Sequence, residues 1–162
     1  MNEPTQALQD TSRFRNGWIN IIGPRGPITF KGKLLGETTS FQDRHMHEGR
    51  RFADRGQRCY GCRWSEYKIF IVTELDQRTR VAYGTDYDGR YLVCSFGQTV
   101  VPHEDVYRRV DATNSPAEVV ELLTTRKYGH KPNITAAAAR LMARVSDIDR
   151  DLQEAWDNRV VL

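Results

Sequence analysis

Two cysteines and two histidines in the stretch 44–64 have the side chains and the spacing of a metal site. Cys59 and Cys62 form a C-x-x-C turn, in which two thiolates can bind one tetrahedral ion. His45 and His47 are two residues apart, so on an extended strand both imidazoles point to the same side. Together the four side chains are a candidate Cys2His2 ligand set for zinc.

Other interpretations of the same residues remain open. The order of the ligands reverses the zinc-finger pattern, in which the cysteines come first and a helix lies between them and the histidines. Cys94 and His103 lie downstream and could replace one or both histidines. A redox dithiol is an alternative, although no βαβ pattern surrounds the pair. Reduced cysteines that are buried as small hydrophobic residues, and a solvated histidine pair, are equally compatible with the sequence.

The same stretch is basic and aromatic. It contains six arginines against Glu48 and Asp54, a net charge of +4. Arginines with interleaved aromatic rings are typical of surfaces that bind single strands or RNA. Arginine also forms bidentate contacts with carboxylates, which suits an acidic protein face. The candidate partner-binding residues are Arg44, Arg50, Arg51, Arg55, Arg58, Arg63, Tyr60 and Trp64.

The composition is that of an ordinary globular protein. With 162 residues, 39% hydrophobic and 28% charged, one domain with a proper core is expected. The net charge of +3 does not by itself indicate nucleic acid, but residues 1–64 carry +5 and residues 65–162 carry −2. Nineteen arginines against five lysines also indicate a high-GC coding bias, which would place arginine everywhere.

The sequence also predicts where the protein is located. No apolar run approaches the length of a membrane span, and the N-terminus lacks the basic and apolar regions of a signal peptide. The three cysteines are an odd number, which agrees with a reducing compartment. We therefore expect a cytoplasmic protein without a membrane partner.

The pattern of apolar residues predicts a sheet on both sides of the basic stretch. Residues 1–13 are expected to be a flexible leader, and 14–162 a single domain. The expected strands are 17–22, 28–41, 67–73, 79–83, 91–96 and 99–101. A bulge is expected at Gly32 or Gly36, and a type I′ hairpin turn at Asp88-Gly89. The result is an antiparallel meander of about four to six strands.

Two helices are predicted after the sheet, which makes the fold class α+β. Ser115 and Glu118 form a capping box with proline at the first helical position, and this helix should end near Gly129. A long last helix is expected from about 134 to 158. It carries a heptad stripe that either packs on the sheet or forms a homodimer seam, made of Ile134, Ala138, Leu141, Val145, Ile148, Leu152 and Ala155.

Three aspartates alternate within this last helix. Asp147, Asp149 and Asp151 resemble the start of a calcium loop, but the glycine and glutamate that such a loop needs are missing. On a helix the three carboxylates would spread over different faces. They are therefore expected to be solvated.

Three runs of residues resemble a family of small actinobacterial proteins known as EXLDI proteins. These runs are 30–37, 64–70 and 89–93, so the likeness covers the middle half of the chain. The Cys/His stretch and the long C-terminal helix depart from the family. The resemblance implies a high-GC bacterial, plasmid or phage source, and it implies no activity.

These observations predict a small non-enzymatic binding protein. Its α+β platform would present the basic, zinc-pinned stretch 44–64 to nucleic acid or to an acidic protein face, as in an accessory or inhibitor protein of a phage or mobile element. An enzymatic alternative uses His45, His47, Glu48 and Arg50 as acid, base and phosphate clamp of a phosphoesterase or ribonuclease, with or without zinc. A second alternative is an oligomeric scaffold through the last helix.

Overall fold

The computed structural model describes residues 17–39, 46–47, 50–51, 63–99, 107–125 and 133–159. The strands are β1 (Trp18–Gly23), β2 (Gly26–Thr39), β3 (Met46–His47), β4 (Arg50–Arg51), β5 (Arg63–Leu75), β6 (Tyr91–Thr99), β7 (Tyr107–Thr113), β8 (Thr124–Thr125) and β9 (Asn133–Ile134). The helices are α1 (Gln77–Tyr83), α2 (Pro116–Leu123), α3 (Ala136–Ser146) and α4 (Arg150–Asp157).

Five of the strands form one antiparallel meander in the order β1-β2-β5-β6-β7. This sheet, followed by helices, confirms the predicted α+β class and strand number. Although β1 and β7 are opposite edges in this order, their Cα atoms come within 8 Å of each other. The sheet therefore curls until its first and last strands are neighbours.

The segment after β5 was predicted as a strand and is a helix instead. Thr79 and Tyr83 are both buried, and residues four apart share one face of a helix. Asp76 begins α1 by accepting a hydrogen bond from the backbone N–H of Arg78. Thr79 in turn accepts from the backbone N–H of Thr29 in the neighbouring hairpin. Tertiary packing thus overrides the strand propensity of this short run.

The predicted hairpin turn at Asp88-Gly89 is also wrong, because the preceding element is α1. Residues 84–90 connect α1 to β6, and the positive φ of this connection lies at Gly84 (60°). Gly89 is needed for close approach, since a Cβ there would lie 2.8 Å from the backbone nitrogen of Thr113. Strand β7, which brings that backbone there, was not predicted because charged residues interrupt its alternation.

The curled side of the sheet encloses one hydrophobic cluster, here called the inner cluster. Tyr83 and Tyr87 close one end of it, and their rings meet edge to face at 4.9 Å between centroids. The buried members are Ile19, Ile21, Ile28, Phe30, Phe70, Leu75, Tyr83, Tyr87, Leu92, Cys94, Phe96 and Val110.

The other side of the sheet packs against α2, α3 and α4 in an outer cluster. The register of β2 shifts at Gly32 and at Gly36, the two positions where a bulge was predicted. At Gly36 a Cβ would lie 2.9 Å from side-chain carbons of Leu141 and Val145, so glycine lets α3 approach β2. The buried members are Leu35, Tyr67, Ile69, Tyr91, Val93, Val119, Leu123, Ala137, Ala138, Leu141, Met142, Val145 and Leu152.

The single long C-terminal helix is not confirmed. Residues 136–157 form two helices that break at 147–149, where Ile148 is 59% exposed. Four members of the predicted stripe are fully buried against the sheet and its helices, namely Ala138, Leu141, Val145 and Leu152. These four residues of the stripe therefore belong to the core, in agreement with the first of the two predicted alternatives, packing on the sheet.

The capping box at the start of α2 is confirmed, since the Ser115 hydroxyl accepts from the backbone N–H of Glu118. The helix ends at Leu123, earlier than the predicted Gly129. The reason is that Thr124 leaves the helix to pair with Ile134 in a short two-stranded ladder.

Candidate functional site at one end of the sheet

Four ends of the central strands lie together, and we call this the loop end. They are Thr39 of β2, Arg63 of β5, Thr99 of β6 and Tyr107 of β7. The register places Arg63 opposite Thr99, and Thr39 opposite Glu66 three residues inside β5. The connections 40–62 and 100–106 therefore leave and re-enter the sheet at the same end.

A third connection, 126–132, belongs to the same end through the helices. The Thr135 hydroxyl, which caps α3, donates a hydrogen bond to the phenol oxygen of Tyr67 near the start of β5. Farther along α3, the guanidinium of Arg140 donates to the carbonyl of Thr39. Because β9 directly precedes this helix start, the ladder of β9 with β8 lies near the loop end.

The predicted metal ligands fall mostly outside the described residues. This holds for His45, Cys59 and Cys62, and also for the alternative ligand His103. His47 lies in β3, where only the backbone is described. Cys94, the other alternative, is fully buried in the inner cluster. In the described ranges, no three histidine, cysteine, aspartate or glutamate side chains converge as a metal site requires.

The predicted partner-binding residues divide in the same way. Arg44, Arg55, Arg58 and Tyr60 lie outside the described residues. Arg50 and Arg51 form β4, which pairs with β3 so that Arg50 lies opposite His47. Arg63 and Trp64 begin β5. For these four residues the structure describes only the backbone. The chain leaves the sheet at the end of β2 and returns to it at the start of β5, and both points lie at the loop end.

A lysine on the inner side of the sheet was missed by the sequence analysis. Lys68 is only 8% exposed and lies between Glu37 of β2 and Cys94 of β6. Its Nζ lies 3.9 Å from Oε1 of Glu37. One step nearer the loop end, Glu66 and Arg108 are on the same side of the sheet. The inner side thus changes from apolar to charged as it approaches the loop end.

The two-residue period of β5 could have revealed this lysine. Phe70 and Val72 face the inner cluster, so Lys68 must point to the same side. A buried ammonium is unfavourable without an acceptor, and Glu37 supplies one.

Two arginines of α3 were also missed, and they lie along the loop-end half of β2. Arg144 donates to the carbonyl of Glu37 at 3.0 Å, and Arg140 donates to the carbonyl of Thr39 at 3.4 Å. Both side chains are exposed. The two arginines are four residues apart on α3, and the carbonyls that they contact are two residues apart on β2. The signal in the sequence is a pair of basic residues four apart on the polar side of an otherwise alanine-rich helix.

The opposite end of the sheet, here called the capped end, carries paired charges. Oδ2 of Asp86 lies 2.7 Å from Nη2 of Arg25, whose guanidinium stacks on Tyr83. Asp88 pairs with Arg80 at 3.2 Å. These contacts fix α1 and the following connection over the end of the inner cluster.

A buried carboxylate joins α4 to the capped end. Asp149 is 7% exposed, accepts from the backbone N–H of Leu152 at the start of α4, and accepts from the Tyr91 hydroxyl. Arg90 bridges Asp149 and Asp151 at 3.5 and 3.2 Å. The expectation that all three aspartates are solvated is therefore wrong for Asp149, because the helix breaks here and needs a cap.

The hydroxyl groups of two tyrosines at the capped end have a raised pKa. Burial, followed by the charge and hydrogen bond of Asp149, raises the pKa of Tyr91 to about 12. Burial, followed by the neighbouring Tyr83, raises the pKa of Tyr87 to about 12. The charged groups next to both tyrosines include Arg25, Asp86, Arg90 and Asp149 at the capped end, so both tyrosines serve the structure of that end.

Comparisons with known proteins give no relative. No protein-family model, no curated protein and no solved structure matches the chain. Within the described ranges, none of the helices has the length and apolar character needed to cross a bilayer.

Proposed function

We propose that the protein is a non-enzymatic binding protein that holds nucleic acid at the loop end of its sheet. The observation that carries this proposal is the meeting of the connections 40–62, 100–106 and 126–132 at one end. The basic stretch identified in the sequence belongs to the first of them. The last has Arg126, Lys127 and Lys131 without a carboxylate.

The charge balance at this end supports an anionic partner. The three connections together carry eight basic and five acidic side chains. At the capped end, by contrast, Arg25, Arg80 and Arg90 are each within 3.2 Å of a carboxylate oxygen of the same chain. Arginines that are neutralised internally contribute little to the attraction of a polyanion, whereas a net formal charge of +3 over the three connections favours it.

Zinc forms part of the proposal as a device that shapes the basic stretch. The connection 40–62 spans strands β2 and β5, which are paired, so both of its ends are held together. Cys59, Cys62, His45 and His47 would bind the ion within this one closed connection. Thiolate and imidazole ligands suit zinc, and a bound ion would link the two ends of the basic stretch.

Metal content tests this part directly. Elemental analysis of protein purified without chelator should give about one zinc per chain, bound through the ligand set named above. The variant with Cys59→Ser and Cys62→Ser should lose it, while Cys94→Ser, at the buried position, should keep it. Absence of metal in the wild-type protein contradicts the zinc site without affecting the basic surface.

Fluorescence anisotropy with labelled single-stranded RNA, single-stranded DNA and duplex DNA tests the binding function. We expect binding at low salt, with an affinity that falls linearly in a log–log plot against salt concentration. The variant with Arg50, Arg51, Arg126 and Lys127 changed to glutamine should weaken binding by roughly 100-fold or more, since about four phosphate contacts are lost.

A control variant removes two positive charges outside the loop end. Arg78→Gln with Arg150→Gln changes two exposed arginines outside the loop end and should leave the affinity nearly unchanged. If no probe binds at low salt, or if the control loses as much affinity as the loop-end variant, nucleic-acid binding is rejected. Binding of polyglutamate but of no nucleic acid would assign an acidic protein partner instead.

A further inference from the structure

Four charged side chains from three strands lie on the inner side of the sheet near the loop end. Phe96 of the inner cluster lies between Glu66 of β5 and Arg108 of β7 in the ladder. Lys68 follows on β5, with Glu37 opposite it on β2. Because the curl makes this side concave, side chains on it converge, and concave sites of this kind commonly bind small molecules. We call the four residues the mouth cluster: Glu37, Glu66, Lys68 and Arg108.

Arg108 has a buried donor that the fold does not use. Its Nε is buried and has no hydrogen-bond partner in the part of the chain that the structure describes. The side chain as a whole is only half-buried, so solvent reaches part of the guanidinium group or its stem. A buried N–H without an acceptor is unfavourable, and native proteins keep such a group where a water, an ion or a ligand supplies the acceptor.

Lys68 provides further donors beside a carboxylate that solvent reaches. Its Nζ lies 3.9 Å from Oε1 of Glu37, which is longer than a hydrogen bond. The side chain of Glu37 is 59% exposed, whereas that of Lys68 is 10% exposed. An ammonium group has three donors, so a ligand that enters beside Glu37 can accept from Lys68 without displacing the ion pair.

The charges of the mouth cluster favour an uncharged ligand over an anion. Two cations and two carboxylates give a formal charge of zero, so a phosphate group gains no net attraction here. A ligand that satisfies both kinds of side chain must carry acceptors for the cations and donors for a carboxylate. This requirement separates the mouth cluster from the basic stretch, whose net charge suits the phosphate backbone.

Among the nucleobases, guanine fits this requirement best. It has two neighbouring acceptors, O6 and N7, and two neighbouring donors, N1–H and the N2 amino group. Paired acceptors suit a cationic donor group and paired donors suit the two oxygens of a carboxylate. The bases of a single strand expose both edges, whereas those of a duplex do not.

We infer that the mouth cluster binds the guanine base of a single strand that is held at the loop end. Arg108 and Lys68 donate to N7 and O6, and Glu37 accepts from N1–H and the N2 amino group. This inference rests on the proposed function, because the bound strand brings the base to the mouth cluster. It adds a base preference, which contacts between arginines and phosphates do not provide.

The experiment measures fluorescence anisotropy of the full chain with labelled RNA probes of about ten nucleotides, all uridine except for one central base. The probe with guanine should bind about tenfold or more tightly than the probe with adenine. Inosine lacks the N2 amino group and 7-deazaguanine lacks the N7 acceptor. Probes with either base should bind with intermediate affinity.

Two neighbouring arginines of β7 provide a matched pair of variants. Arg108→Gln should abolish the preference for guanine over adenine. Arg109→Gln changes the next residue, which is exposed and paired with Asp111 on the other side of the sheet, and should keep the preference. Circular dichroism confirms that each variant is folded.

A second variant tests the carboxylate at an exposed position. Glu37→Gln should make guanine and inosine probes bind alike, because the contact with the N2 amino group is lost. The comparison of probe bases on the wild-type chain needs no substitution, so it decides the inference even if a variant does not fold.

Equal affinity of the wild-type chain for guanine and adenine probes overturns the base preference and leaves nucleic-acid binding intact. A preference for guanine that survives in Arg108→Gln also overturns it. Calorimetry with guanosine monophosphate separates the two proposals. Binding of this nucleotide, but of no strand, would reject the proposed function and keep the guanine site, and absence of both would reject both.

Discussion

The two ends of the sheet use arginine in opposite ways. At the capped end Arg25, Arg80 and Arg90 each pair with a carboxylate on a neighbouring segment. At the loop end Arg140 and Arg144 donate hydrogen bonds to the backbone carbonyls of Thr39 and Glu37. The first arrangement pairs opposite charges between side chains, and the second consists of contacts between exposed side chains and the backbone of β2. Substitutions at the capped end should therefore change stability, and those at the loop end should change binding.

The largest effect is expected at Asp149. Asp149→Ala removes the cap of α4 and leaves the buried Tyr91 hydroxyl without its acceptor, which together should cost about 3 kcal/mol of the free energy of unfolding. Urea denaturation measures this value. Asp151→Ala removes the same charge from an exposed position and should cost about 0.5 kcal/mol. Equal losses for the two variants would show that the buried network does not stabilise the capped end.

Alkaline pH should weaken the same end. The pKa of Tyr87 and that of Tyr91 are raised from 10.0 to about 12 in the folded protein. Between these values the folded state keeps protons that the unfolded state has lost. The stabilisation is therefore complete below pH 10 and is lost as the pH rises through about 12, on the order of 2 kcal/mol for each tyrosine.

Tyr91→Phe sharpens this prediction, because it removes one of the two groups. Stability measured by urea denaturation from pH 9 to pH 12 should fall about half as far in this variant as in the wild type. A fall of the same size in both proteins would place the alkaline sensitivity elsewhere. Asp149→Asn should lower the pKa of Tyr91, which ultraviolet absorbance of tyrosinate detects.

A smaller effect on stability is expected at Lys68 and Glu37, the ion pair on the inner side of the sheet. Lys68→Met keeps most of the volume of this buried side chain and removes its charge, so stability should change by less than about 1 kcal/mol. Glu37→Gln leaves the buried ammonium without its carboxylate and should be the more destabilising of the two. Thermal unfolding of both variants decides this order, and the reverse order would mean that the ion pair does not compensate the burial of Lys68.

The smallest effect on stability is expected where α3 contacts the loop-end half of β2. Arg140→Gln and Arg144→Gln should each change the free energy of unfolding by no more than about 0.5 kcal/mol, because both side chains are exposed. A large loss of stability would show that these arginines hold α3 to β2, and would remove the distinction between the two ends.

Four of the five strands of the sheet could be predicted from the sequence because they are rich in alternating apolar residues, whereas charged residues hid β7. The meander, the bulges in β2 and the capping box of α2 all follow from local patterns that the tertiary structure keeps. The run at Thr79–Tyr83 and the break at 147–149 could not be predicted in this way. Their conformations depend on contacts with distant residues, Thr29 for α1 and Tyr91 for the cap at Asp149.

The candidate site was predictable only in part. Composition identified the basic stretch, and the meander order determines which connections share an end of the sheet. Composition alone does not show that 126–132 reaches the same end, because this depends on the contact of Thr135 with Tyr67. The contacts of Arg140 and Arg144 likewise depend on how α3 packs against β2, which a pattern in α3 does not reveal. The predicted zinc site stays a prediction.

The proximity of β1 and β7 has a consequence for how the chain folds. Ile19 and Val110 belong to one buried cluster although 91 residues separate them along the chain, so β7 must be synthesised before this cluster is complete. Contacts of such high sequence separation slow folding. During translation the early hairpin of β1 and β2 would leave its apolar side exposed. A chaperone that shields such surfaces should therefore bind the nascent chain until β7 emerges from the ribosome.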